Sequence, residues 1–215
     1  VVDGNLFILA STRSATFGKE NSLIIKLNNF FNPETMYLLG TTGEDIPYKL
    51  LKLSYNKYLL MGNYSRASDN KDIYFSIVDG EFNFIRGFAL GGAFDEIPKD
   101  YIINKDALII SSQTRSFKPQ EKENVLLNLV DLKSMKVLRS LSVGTMDNDY
   151  YLDSLLLDKK MYVFINQVIK DNSNIYVLVL DSSNLNLSKV VYLKDLVNNY
   201  SNYFSRVRNF FGLAL

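Results

Sequence analysis

The chain contains neither cysteine nor histidine. Without a thiol there is no disulfide, no thiolate zinc site and no cysteine nucleophile, and cysteine usage gives no reading of the redox compartment. Without imidazole there is no Ser-His or Cys-His catalysis and no imidazole-ligated metal, which leaves carboxylate, Lys, Tyr, Ser or Thr chemistry and hard cations held by oxygen. No cofactor is expected. Net charge is nearly absent as well: 24 Lys plus Arg stand against 23 Asp plus Glu, a formal +1. No long-range field therefore favours nucleic acid or an anionic membrane, and neither is an expected partner. No run of about eighteen apolar residues exists, so no membrane insertion by this segment is expected. The start Val1-Val2-Asp3-Gly4 has no signal-peptide pattern and no initiator Met, and it reads as a processed or excised piece.

What is present is an ordinary globular composition, 47% hydrophobic and 22% charged over 215 residues, arranged in a repeat. Apolar runs begin at Leu6, Tyr58, Leu108 and Tyr162, in steps of 52, 50 and 54 residues. A second run ends each time in Asn or Asp, at Asn28, Asp79, Asp131 and Asp181, in steps of 51, 52 and 50. Asn and Asp suit a strand end because they tolerate the left-handed region and bond their own backbone in turns. A third run follows at 36–39, 85–90, 137–143 and 190–193, and in three copies it leads to a Gly-containing acidic loop that closes on Asp45, Asp95 or Asp147. A fourth lies at 48–53, 101–103, 152–157 and 203–207, each of the first three closed by a polar turn such as Asn56-Lys57. These strands a, b, c and d predict an all-β chain of four-stranded antiparallel β-propeller blades, a partial ring of a larger propeller. A β-sandwich also spaces its strands by 8 to 12 residues, but it does not require every fourth strand to share landmarks. The predicted blades are 5–53, 57–104, 107–157 and 161–207.

In the first unit, LFILASTRSATFGKENSLIIKLNNFFNPETMYLLGTTGED resembles the bacterial and archaeal β-propeller repeats with a consensus near "yilaGsTxSfGxGxxDxyliKldxxGnxxWxxxyGGxxxD". The second unit, YLLMGNYSRASDNKDIYFSIVDGEFNFIRGFALGGAFDE, resembles it in the same register. The likeness covers nearly the whole chain and weakens in the fourth unit. The family's Trp in strand c is replaced by Met36, Ile85, Leu138 and Val191. The resemblance implies a scaffold rather than a reaction, in an extracellular or cell-surface setting. It also implies that the 14 Phe and 14 Tyr serve packing between blades.

Candidate sites lie in the turns. The a–b hairpins carry Arg13, Arg66 and Arg115, with Lys170 in the fourth unit, an arrangement that reads either as a ring of cations gripping carboxylates, sulfates or phosphates, or as solvated turns with each Arg paired to a nearby acid. Lys57, Lys105 and Lys159 in one set of turns and Asp79, Asp131 and Asp181 in another predict a belt of weak surface ion pairs. Acidic clusters at Asp69 to Asp72, Asp95-Glu96 and Asp147 to Asp149 suggest oxygen-ligand calcium loops but lack EF-hand spacing. Asn63-Tyr64-Ser65, Asn186-Leu187-Ser188 and Asn199-Tyr200-Ser201 are glycosylation sequons.

The leading functional reading is a non-enzymatic scaffold or interaction module that binds a protein or a glycan through its loops. The alternative is a carbohydrate-active enzyme using paired carboxylates. The run 210–215 reads as strand a of a further blade, the remaining blades coming from the parent protein or another chain; the other reading of this end is an amphipathic helix from about Leu196.

Overall fold

A computed structural model describes residues 2, 4–14, 18–65, 70–116, 122–170 and 172–193. The expectations for 194–215, a strand at 203–207 and a further strand or a helix, lie outside the described residues, as does Arg66. The rest runs as fifteen strands. The first sheet is β1 (Leu6–Thr12), β2 (Asn21–Leu27) and β3 (Pro33–Leu39); the second is β4 (Glu44–Ser54), β5 (Lys57–Ser65), β6 (Lys71–Asp79) and β7 (Phe84–Leu90). The third is β8 (Glu96–Asn104), β9 (Ala107–Thr114), β10 (Asn124–Asp131) and β11 (Lys136–Val143); the fourth is β12 (Asn148–Leu157), β13 (Lys160–Ile169), β14 (Asn172–Asp181) and β15 (Leu187–Tyr192). In each sheet neighbours in sequence are neighbours in space, so every sheet is a meander.

Among the described residues each strand read from the sequence has a counterpart, but the sheet boundaries differ. The units 5–53, 57–104, 107–157 and 161–207 group strand d with the a, b and c before it, whereas in the structure d pairs with the next strand a along the chain, as β4 with β5 and β12 with β13. The turns explain why. The d–a loops hold two residues, and Asp158 and Lys159 both sit at positive φ, 48° and 64°, the type I′ geometry that folds one strand directly back on the next. Strand d also starts earlier than predicted, at Glu96 and Asn148 rather than at 101 and 152.

The b–c turns repeat one device. The side-chain oxygen of Asn28 accepts from the backbone N–H of Phe30 (2.9 Å) and Asn32 (3.1 Å); Asp79 does the same for Glu81 (2.9 Å) and Asn83 (2.8 Å), Asp131 for Ser134 (2.5 Å) and Asp181 for Ser183 (2.9 Å). These Asp residues therefore serve their own turns rather than a belt of ion pairs, and the hydrogen bonds hold all three carboxyls below the usual range. Each turn also places an apolar residue at positive φ, Phe31, Phe82, Met135 and Leu185. Phe82, Met135 and Leu185 are buried, while Phe31 is 72% exposed.

The chain divides into two compact units, 1–98 and 99–215. In the first, Ile24 of β2 packs with Leu50, Tyr58, Leu60 and Val78 of the second sheet, and the Phe82 ring stacks on Tyr37 (4.4 Å between centroids) and Tyr58 (5.4 Å). In the second, Ile109, Leu127 and Leu129 of the third sheet close on Met161, Val163 and Leu178 of the fourth. Alternation along each strand supplies these faces, since side chains two apart share one side of a sheet.

Candidate functional site

In the three described c–d connections an acid is buried and bent back on its own loop. Asp45, 4% exposed, accepts through Oδ2 from the backbone N–H (2.7 Å) and hydroxyl (2.9 Å) of Thr41. Asp149 accepts likewise from the N–H (2.5 Å) and hydroxyl (3.0 Å) of Thr145, and Glu96 from the N–H of Gly92 (2.7 Å). The backbone of the same residue staples two sheets together. Within the first unit the Asp45 carbonyl accepts from Ser22 Oγ (3.1 Å) and its N–H donates to the Glu20 carbonyl (2.8 Å). Within the second the Asp149 carbonyl accepts from Gln113 Nε2 (2.7 Å) and its N–H donates to the Glu123 carbonyl (2.9 Å).

The two units differ at the other carboxylate oxygen. Tyr176, five residues before the turn acid Asp181, donates its hydroxyl to Asp149 Oδ1 (3.0 Å). Tyr74 stands in the same relation to Asp79, yet its hydroxyl bonds Ser22 Oγ (2.7 Å) instead. Position 22 is the second residue of β2, as 125 is of β10, and Val125 has no hydroxyl to intercept a phenol. Asp45 Oδ1 consequently has no hydrogen-bond partner among the described residues. Burial pushes its carboxyl up, while the two Thr41 donors oppose that shift.

Asp45 lines a groove of about 460 Å³ in the first unit. Leu39, Gly40 and Thr41 form one wall. The floor is the face of β6 and β7 that carries Tyr74 and Ser76, with Ala89 and Gly87 paired opposite them. Three small side chains in succession leave this space. Gly87 also seats an aromatic ring: a Cβ there would lie 3.1 Å from Phe84 Cε2 and 2.6 Å from the Phe75 carbonyl oxygen. Phe84, its ring against Gly87, is 62% exposed. Gly62 does the same for Tyr74, whose ring would come within 2.6 Å of a Cβ. In the fourth sheet the positions of Ser76, Gly87 and Ala89, counted from the turn acid and the strand pairing, hold Leu178, Val190 and Tyr192.

The residues singled out from the sequence fall elsewhere. Arg13 Nε lies 3.4 Å from Glu20 Oε2, and Arg115 Nε lies 2.6 Å from Glu123 Oε1; each is an ion pair at the base of its own hairpin. Of the acidic clusters, Asp95 accepts from the Lys71 N–H (2.8 Å), and no group of three or more acids among the described residues is placed to hold a metal. Asn63, the first sequon residue, donates its amide to the Glu96 carbonyl (2.7 Å). A further polar cluster in the second unit joins the Tyr151 hydroxyl (2.8 Å) and Ser154 Oγ (3.0 Å) to Asp100 Oδ2.

No protein-family model and no curated protein sequence matches the chain. Among solved structures it is similar to a subtype N10 neuraminidase-like protein of A/little yellow-shouldered bat/Guatemala/060/2010, with 12% identity, a TM-score of 0.55, and coverage of 89% of this chain and 55% of that one. The fold is that of a β-propeller. It is also similar to the dihydro-heme d1 dehydrogenase NirN in complex with DHE, with 14% identity, a TM-score of 0.51, and coverage of 86% and 35%. The chain thus spans about half the length of the first and about a third of the second. At these identities the likeness concerns fold alone, and each four-stranded meander is a propeller blade.

Proposed function

We propose that this chain is a non-catalytic binding module, built on the surface-type propeller repeats its sequence resembles, that holds a glycan in the groove beside Asp45 in an extracellular or cell-surface setting. The observation that carries this reading is a buried carboxylate with one open oxygen, lining a groove that also has an exposed aromatic ring. Ligand sites of this volume are mostly apolar with a few convergent polar groups. The enzyme reading has less support in the groove, because glycoside hydrolysis uses two acids about 5–9.5 Å apart and Asp45 is the one carboxylate among its described lining residues.

The test fills the groove with the residue found at the equivalent place in the fourth sheet. A panel of neutral and charged oligosaccharides is titrated into the wild-type protein and Ser76→Leu, with the melting temperature read for both. The wild type should gain thermal stability with at least one saccharide and Ser76→Leu with none, at an unchanged ligand-free melting temperature. The reading is wrong if no saccharide shifts the wild type, if a peptide pool shifts it instead, or if a chromogenic glycoside is turned over and one Asp or Glu substitution abolishes that turnover.

A further inference from the structure

Resting on that reading, we infer that the groove selects an uncharged pyranose unit, stacked by its apolar C–H face on the Phe84 ring and donating a hydroxyl to Asp45 Oδ1, and that it rejects uronic, sialic and sulfated sugars. Three features lead to this class of ligand. The first is the platform: the Phe84 ring lies against Gly87 and the residue is 62% exposed. A flat sugar face offers such a ring apolar contact that a branched aliphatic side chain does not, because polarised C–H groups meet the negative face of the ring.

The second feature is the polar complement. Asp45 Oδ1 is an acceptor with nothing donating to it among the described residues, and Ser76 Oγ, half-buried on the floor, has no partner there either. An acceptor and a hydroxyl able to donate or accept, lining one groove, suit sugar hydroxyls, each of which does both. This oxygen opens onto the groove, so a hydroxyl that reaches it forms a charge-assisted bond.

The third feature is the sign of the field. Among the described residues the side-chain donors to Asp45 are neutral, Thr41 on the carboxylate and Ser22 on the backbone. Of the cations predicted to grip anions, Arg13 and Arg115 are engaged by Glu20 and Glu123, and Arg66 lies outside the described residues. An anionic sugar would bring a second negative charge to a carboxylate shielded from water, where two unit charges at 4 Å interact by several times the value in bulk water.

The experiment is calorimetric titration at pH 7 with methyl glycosides of neutral hexoses, the matching methyl uronates, and tetramethylammonium as a cation of similar bulk, against the wild type, Phe84→Ala and Asp45→Asn. The neutral glycosides should bind at least about tenfold more tightly than their uronates, with the gap shrinking in Asp45→Asn. Phe84→Ala should lose about tenfold in affinity, and saturation-transfer NMR should show the sugar's ring protons, not its anomeric methyl, nearest the protein. Uronates binding as well as neutral sugars, full affinity in Phe84→Ala, or tetramethylammonium displacing the sugar would each overturn this inference while leaving a glycan groove standing. If no glycoside binds at all, the glycan reading itself falls.

Discussion

In the second unit the phenol of Tyr176 reaches the buried carboxylate of Asp149; in the first, the phenol in the same place, Tyr74, stops at Ser22. Around that one difference the rest diverges. Where the fourth sheet fills this face with Leu178, Val190 and Tyr192, the second carries Ser76, Gly87 and Ala89 and leaves a groove. The shared parts of the two seams, an apolar centre and an acid looped back on its own strand, are what a blade needs in order to pack. The unshared part opens in the first unit into a groove that is free to serve a ligand. A repeat protein thus shows by internal comparison which features belong to the scaffold.

The largest effect should come from the shared part. Leu60→Ala in the first unit and Met161→Ala in the second, both at 0% exposure, should each cost about 2–5 kcal/mol in urea unfolding. A loss below about 1 kcal/mol at either position would show that its seam is not packed as described. Next come the two phenols. Tyr176→Phe removes a donor from a buried carboxylate and should cost about 1.5–3 kcal/mol, whereas Tyr74→Phe removes a neutral hydroxyl pair and should cost about 0.5–1.5 kcal/mol. Equal losses would contradict the difference between the seams.

Smaller effects should appear as pH dependence of opposite sign. The folded-state pKa of Asp45 is raised by burial, so its contribution to stability is present at low pH and is lost as pH rises through that pKa. Asp45→Asn should therefore gain on the wild type as pH climbs through the carboxylate range. The turn acids Asp79, Asp131 and Asp181 are lowered by their own hydrogen bonds. Their contribution is present above the ordinary Asp value and is lost as pH falls through the folded one, so the triple Ala variant should be most impaired near neutrality and approach the wild type in acid. Urea midpoints taken from pH 3 to pH 7, about the range over which carboxyls titrate, would read both; parallel profiles would refute the assignment. Least of all, Arg13→Gln and Arg115→Gln should each change stability by no more than about 1 kcal/mol, since they break exposed pairs.

The strands were legible because apolar runs and turn residues recur at a fixed period, and Asn28, Asp79, Asp131 and Asp181 marked the b–c turns by a chemistry that acts locally. The sheet boundary was not legible, because a period looks the same wherever it is cut. Only the two-residue geometry at Asp158-Lys159 decides that strand d belongs with the next strand a. The groove was hidden for a different reason. Ser76, Gly87 and Ala89 read as ordinary strand residues one by one, and their common face emerges only from the β6–β7 register. Asp149 stood in plain view within an acidic cluster, but its neighbours Asp147 and Asn148 suggested a cation loop. Its actual donor, Thr145, lies four residues back on a connection whose shape sequence spacing does not convey.

The one-strand offset between repeat and sheet bears on how such a chain can lengthen. Each complete blade draws one strand from the repeat before it and three from its own. A gene duplication or unequal crossover that inserts one whole period, whatever its breakpoint, keeps the strand order across the join, so that each strand d is still followed by a strand a. The number of blades can therefore change by whole steps without stranding an unpaired edge, while an insertion of any other length puts a misplaced turn in the middle of a sheet.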